Sequence, residues 1–401
     1  MLKQYPMLRY VLQKGFWYIL TFVFAVALNF ALPRLGDNNP VDIIMGQAGK
    51  GLTPTEAQQK KAELLVSFGM AETDADGNPV YEQAVDSVTG KPLFEKVAKL
   101  DSVFAKDSLG NQVLSRVDTS WSEVPVMNKD PKLTSALTQF FRYIVNVFHG
   151  DLGLSYQNNE PVINIIKKSL PWTLLIQAPT IILGWIFGNL LGAFAAYKRG
   201  IFDKVFFPVA MFLNGIPYFV FGMLLVALFS ITLGWFPAVG AYSSDIPQLT
   251  FSWTCIKSVA WYYVLPFFSC FPILLSGQAT GMRSMAIYEL GTDYMKYAKW
   301  LGLREGKIIS YVFRNAMLPQ LTGLAQSLGA MVGGALITEM IFSYPGLGMA
   351  MLTAIQQNDY ATIQGCTLMI STCVLVANFL VDILIAIFDP RVKAGLQMGG
   401  K

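Results

Sequence analysis

Two carboxylates stand inside long apolar runs of this chain, Glu339 in Ile-Thr-Glu-Met-Ile-Phe and Asp382 in Leu-Val-Asp-Ile-Leu. A carboxylate facing lipid costs roughly 2.5–3.5 kcal/mol, so each must face protein or water. Two chemistries fit that requirement. One is a proton or ion relay; the other is structural, a membrane-edge anchor or an interhelical hydrogen bond. Glu339 precedes Phe342-Ser-Tyr-Pro-Gly-Leu-Gly348 at one end of its run, and Asp382 lies shortly before Asp389-Pro390-Arg391 at the end of another. Both sit within a turn or two of a boundary, which favours the structural role.

Other candidate chemistry is sparse. The four cysteines (Cys255, Cys270, Cys366, Cys373) lie in or beside apolar runs with no C-x-x-C pair, which reads as free buried thiols. His149 is the single histidine and cannot build a metal site alone. Asp74-Ala-Asp-Gly77 invites a calcium reading, but Val85 stands where the loop needs its glutamate, so an ordinary turn is favoured. Gly46-Gln-Ala-Gly-Lys50-Gly and Gly302-Leu-Arg-Glu-Gly-Lys307-Ile both fail the G-x-x-x-x-G-K-[ST] pattern of a phosphate loop. No Ser–His, paired-Asp or H-E-x-x-H arrangement offers hydrolysis. The chain is expected to bind no cofactor, metal or nucleic acid and to catalyse nothing itself.

The most informative stretch is 283–319, a polar, helix-forming segment between two apolar runs. It carries six Lys/Arg (Arg283, Lys296, Lys299, Arg304, Lys307, Arg314) and three acids (Glu289, Asp293, Glu305). A plain connection needs only a handful of residues, so this one has a task. Thr292 suits an N-cap with Asp293 in the first turn, and Gly302 suits a helix stop. Between them Tyr294, Tyr297, Ala298 and Leu301 follow i, i+3, i+4, i+7, which predicts a short amphipathic helix. Such a helix either lies on lipid headgroups or forms a knob for a groove on a partner. A second helix, about 305–318, is expected to run into Pro319 at the start of the next apolar run.

These residues need a membrane scaffold to position them. Hydrophobic residues make up 53% of the 401 and charged ones 14%, against about 25% charged in soluble domains. Six runs approach the ~20 residues of a span: about 16–33, 173–197, 205–233, 259–282, 320–342 and 364–388. The first follows Lys3, Arg9 and Lys14 and exceeds a signal peptide's core, so an uncleaved anchor is favoured over a cleaved signal. Fifteen Lys/Arg fall in the amino-terminal tail, the 198–204 and 283–319 loops and the carboxy-terminal tail, against Lys257 alone in the opposite short loops. The positive-inside rule then predicts both termini in the cytoplasm and 34–172 outside. In the outer segment, 52–69 and 132–148 read as helices. Three short turn-rich units between them, starting at Asp74, Asp86 and Asp107, read as hairpin chemistry and predict a β-rich insertion at about 70–130. Gly329, Gly333 and Gly334 give small-x-x-x-small spacing in the fifth run, suited to close helix packing.

Several motifs in order resemble permeases of the dipeptide/oligopeptide/nickel family of binding-protein-dependent ABC transporters. They are Thr53-Pro54-x-Glu56, Gly150-Asp151-Leu152-Gly153-x-Ser155, Leu170-Pro171-x-Thr173 and Trp235-Phe236-Pro237-Ala238. The Asp293–Pro319 loop with its Asn315-Ala-x-Leu-Pro319 ending, Glu339-x-x-Phe342-x-x-Pro345-Gly346-Leu347-Gly348, and Asp389-Pro390-Arg391-Val392 complete the set. The resemblance covers nearly the whole chain outside the insertion. It implies an all-α polytopic membrane protein with six transmembrane helices of the type I importer permease fold and a β-rich extracytoplasmic insertion between helices 1 and 2. Its divisions are 1–33, 34–168, 169–388 and 389–401, with the coupling loop at 283–319. It further implies a heterodimer with a second homologous permease, two cytoplasmic ABC ATPases, an extracytoplasmic substrate-binding protein, and a bacterial inner-membrane location. Asp293, Tyr294, Tyr297, Ala298, Leu301 and Gly302 would form the ATPase-coupling helix, with Asn315, Pro319, Glu339, Pro345, Gly346 and Gly348 as motif residues. Trp300 departs from the small residue usual in that helix. The substrate would be a peptide, an oligosaccharide or a nickel chelate; outer aromatics (Trp121, Trp235, Phe236, Tyr242) suit sugars and peptides equally. The alternative is an ion-coupled secondary transporter working through Glu339 or Asp382, but six spans without an evident inverted repeat suit it poorly.

Overall fold

The computed structural model describes residues 6–31, 41–42, 45–46, 53–86, 91–106, 112–155, 157–246 and 249–388. The motif at 389–392 and the tail beyond it, the tract at 47–51, and the turn segments at 87–90 and 107–111 lie outside the described residues, as do the surroundings of Gly329, Gly333 and Gly334. The chain divides into two compact units, residues 33–150 and residues 1–32 with 151–401.

The smaller unit opens with α2 (Pro54–Ser67), which follows a complete capping box: Glu56 N–H donates to Thr53 Oγ1, and the Glu56 carboxylate accepts from Thr53 N–H at 2.8 Å. Pro54 in the first turn needs no amide there. Asp74 accepts from Asn78 N–H at 2.8 Å and Asp76 N–H at 3.0 Å, with Gly77 at φ +85°. These backbone donors hold the Asp74 carboxyl below its usual range, and Asp-x-Asp-Gly closes an Asx-type turn here. Strands β1 (Phe94–Lys106) and β2 (Gln112–Pro125) pair antiparallel from Phe94↔Pro125, with an irregularity at Val103/Phe104. Helix α3 (Ala136–Phe148) ends the unit.

The larger unit is helical. Helix α1 (Pro6–Ala31) packs along α11 (Tyr360–Phe388). Asn29 Nδ2 donates to the Gln364 carbonyl at 2.9 Å and Gln364 Nε2 to the Asn29 carbonyl at 2.8 Å. Strands β3 (Leu154–Ser155) and β4 (Glu160–Pro161) make a small antiparallel pair before α4 (Val162–Lys198). Then come α5 (Ile201–Asn214), α6 (Tyr218–Leu225) with its π-helical continuation Val226–Thr232, α7 (Trp253–Leu290), α8 (Asp293–Trp300), α9 (Glu305–Ile341) and α10 (Leu347–Gln356).

Among the described residues, Met7–Ala31, Val162–Lys198, Trp253–Leu290 and Tyr360–Ile387 are long and apolar enough to cross a bilayer, and the pair Ile201–Asn214 with Tyr218–Thr232 makes a fifth candidate. That pair is bent by 99°, where the sequence suggested one straight run. Pro217 cannot donate an amide and turns Ile216 from helix. Conversely, α9 runs without a break through Pro319, where sequence reading expected a helix to end.

The central packing is between α4 and α7. Gly184, Gly188 and Gly192 lie four apart on α4, and a Cβ on Gly192 would stand 2.3 Å from the Ala279 carbonyl oxygen. On Gly188 it would stand 2.7 Å from the Leu275 carbonyl oxygen. Small residues at this spacing let helix backbones touch, which is how helices associate when lipid is as apolar as leucine.

Candidate functional site

Helix α8 is shaped by its ends. Thr292 is extended (φ −70°, ψ 153°), but its hydroxyl turns back to donate to the Glu289 carbonyl at 2.6 Å, so it starts the helix without a side-chain cap. Asp293 supplies negative charge at the N-terminus; Lys296 Nζ donates to it at 2.8 Å and holds its carboxyl below the usual range. At the other end Gly302 adopts φ +71°, with Gly302 N–H bonded to the Lys299 carbonyl and Leu303 N–H to the Ala298 carbonyl. That is the left-handed Schellman stop glycine permits.

Which face turns inward differs from the periodicity reading. Met295 is fully buried among Ala196, Ala286, Ile308 and Val312, with Tyr197, Ile287 and Leu290 around them. Ala298 is 8% exposed on the same side, whereas Tyr297 is 61%, Trp300 77% and Leu301 81% exposed. The expected Tyr294–Tyr297–Ala298–Leu301 face is therefore split. An eight-residue helix has room for one narrow anchor stripe, and Met295, absent from the i, i+3, i+4, i+7 series, supplies most of it. Tyr297 and Trp300 meet edge to face at 5.4 Å, leaving an aromatic knob on the outward side.

Neighbouring residues fix this helix. Tyr294 O–H donates to the Glu289 carboxylate and accepts from Asn315 Nδ2 at 2.6 Å, joining α7, α8 and α9. Partial burial, and then the Glu289 bond, push the Tyr294 phenol above its usual pKa. Upstream, Arg283 makes a bidentate pair with Asp203 at 2.5 and 2.7 Å and lies over the Phe207 ring at 3.9 Å, tying α7 to α5. Thus Asn315 joins the predicted coupling residues, while Pro319 lies farther along α9.

The second predicted constellation is built around Glu339, 1% exposed. Its carboxylate accepts from Thr173 Oγ1 at 2.6 Å, Gly348 N–H at 2.7 Å and Met349 N–H at 3.1 Å. Thr173 Oγ1 in turn accepts from Leu347 N–H at 2.8 Å. The first amides of α10 thereby find partners, and the anion sits at the positive end of that helix. A Cβ on Gly346 would overlap the Glu339 carboxylate, and one on Gly348 would press on Leu336 and on Glu339. Pro345 follows the fully buried Tyr344, whose ring meets Trp172 at 5.5 Å. Asp382 is held by Lys14 Nζ and by Tyr18 O–H, each at 3.0 Å. Both intramembrane carboxylates have structural partners.

Sequence reading missed three features: Met295 as the anchor of α8, the Asp203–Arg283 clamp, and the Gly184/Gly188/Gly192 stripe. Only the stripe left a signal, its four-residue spacing.

Residues 188–394 match the family model for the binding-protein-dependent transport system inner membrane component. The chain belongs to that family. It is similar to the dipeptide transport system permease protein DppB of Escherichia coli K12, 33% identical over 273 residues, covering 64% of this chain and 80% of that protein. The glutathione transport system permease protein GsiC of Escherichia coli O6:H1 is 32% identical over 257 residues, covering 64% and 79%. The di/tripeptide transport system permease protein DppB of Pseudomonas aeruginosa is 32% identical over 270 residues, covering 64% and 80%. This family member is a multi-pass inner-membrane permease subunit of an ABC importer.

Proposed function

We propose that this chain forms half of the translocation pathway of an ATP-driven importer of peptides, with a second homologous permease as its partner. An oligosaccharide or a nickel chelate is the nearest alternative cargo; the peptide reading is supported by the relatives' names, since dipeptide, di/tripeptide and glutathione permeases all align. Two cytoplasmic ATPases serve the permease pair, one of them docking at α8, and an extracytoplasmic binding protein delivers substrate to the side that bears residues 34–168. The apolar half of α9 is the remaining transmembrane helix, giving six, with both termini cytoplasmic. Residues 169–388 form the permease domain, and 389–401 a cytoplasmic tail. Lipid surrounds the spans.

The observation that carries this reading is the outward knob of Tyr297, Trp300 and Leu301 on a helix anchored by Met295, within a chain of this family. Aromatic side chains presented on a rigid base are what a partner groove takes up. Movement of an ATPase pair would pass through Met295 into α4, α7 and α9 at once. Nothing favours the ion-coupled alternative, because Glu339 and Asp382 are occupied by a helix N-terminus and by Lys14. Co-purification of the ATPases with Trp300→Ala and Leu301→Glu chains tests the assignment. Loss of the ATPases from a chain still inserted in the membrane supports it; undiminished co-purification returns α8 to a lipid-surface role.

A further inference from the structure

Helix α3 (Ala136–Phe148) is strongly two-sided. At 100° per residue, Thr138, Gln139, Arg142 and Asn146 share one sector, and the apolar residues fill the rest. Among the latter, Phe140, Ile144 and Val147 are half-buried, but Leu137 is 71%, Phe141 63% and Val145 53% exposed, one above the other on a single stripe. No residue of the helix is fully buried. The helix is well made nonetheless: Ser135 caps it by accepting from Thr138 N–H at 3.3 Å, and Gly150 follows its end at φ +79°.

We infer that α3 lies flat in the lipid headgroup layer, with Leu137, Phe141 and Val145 inserted among the upper acyl chains. Three observations select lipid as the occupant. The unit holding α3 is joined covalently to membrane-crossing helices at both ends, α1 ending at Ala31 and α4 starting at Val162, and only residues 149–161 separate α3 from α4. The bilayer surface is therefore an apolar medium that the tether always keeps within reach. The helix contains no acid, and its one charge, Arg142, lies on the polar face, so anionic headgroups attract it. Finally, Phe148, 66% exposed, falls on the same stripe, so it extends the apolar face that would insert with Leu137, Phe141 and Val145. The inference holds for either orientation of the spans and does not depend on what the importer carries.

Nitroxide labels on the full-length chain in nanodiscs of phosphatidylethanolamine and phosphatidylglycerol test it. With the four native cysteines replaced by alanine, labels at Phe141→Cys and Val145→Cys should collide with oxygen and be shielded from a nickel chelate, and one at Asn146→Cys should do the reverse. Nickel access at all three positions would overturn the inference, because the stripe would face water. Shielding of Phe141→Cys from both reagents would overturn it in favour of a protein partner. The unaltered chain supplies a second test through a diazirine-bearing lipid with the group near the headgroup. Adducts on Leu137, Phe141 or Val145 are expected; adducts confined to the spans would contradict the proposal.

Discussion

Glu339 has one carboxylate for three donors, and their geometry assigns its work. Glu339→Gln keeps an oxygen for the α10 amides but removes the charge from the helix N-terminus, an interaction worth roughly 0.3–2 kcal/mol. The variant should therefore insert, unfold a few degrees earlier in detergent, and still transport. Glu339→Ala strands the amides and the Thr173 hydroxyl in a dry site, at about 1–3 kcal/mol for each buried group left unpaired, and should lower the melting temperature much further. Equal melting of the two variants would show that the carboxylate is not a cap. Gly192 gives an independent case. Gly192→Ala would put its methyl 2.3 Å from the Ala279 carbonyl oxygen, and backbone cannot move aside as a flexible side chain can. Overpacking of this kind costs about 1–3 kcal/mol, so the yield of folded chain should fall. Gly306→Ala, where a Cβ meets nothing within 4 Å, should be neutral or mildly stabilising by the same measurement.

At the level of elements, ends were legible and faces were not. The limits of α8 follow from Asp293 and Gly302, whose effects act within a turn. Its inward side depends on α4, α7 and α9 closing around Met295, and no local period encodes that. The apolar runs revealed the long helices for a similar reason, since burial in lipid demands length and apolarity and little else. The break at Pro217 was readable in principle, but in a continuous apolar run the proline was outweighed by hydrophobicity. Pro319 shows the opposite outcome: tertiary packing keeps α9 continuous across it. The face assignment makes a prediction at this scale. Met295→Glu buries a charge among Ala196, Ile308 and Val312 and should disrupt the folded membrane unit. Trp300→Ala removes mostly exposed surface and one edge contact with Tyr297, so it should barely change melting, while weakening association with the ATPases by about 10-fold or more, the usual loss at an interface hot spot. Equal melting losses in both variants would mean that α8 has no outward partner face.

For the whole molecule, class and family were the most legible properties, because motifs such as Pro345-Gly346-Leu347-Gly348 are dictated by contacts that tolerate few residue types. Cargo was not legible, since the outer aromatics suit sugars and peptides equally. Orientation is tested by single cysteines at Asn78 and Lys307, which should label from opposite membrane faces, Asn78 from outside. The most direct test of the central claim is uptake into proteoliposomes that hold the assembled complex with its binding protein outside and ATP inside. Uptake of a peptide should require both ATP and the binding protein, and should survive collapse of the proton gradient. Uptake that continues without ATP and stops on adding an uncoupler would contradict the account.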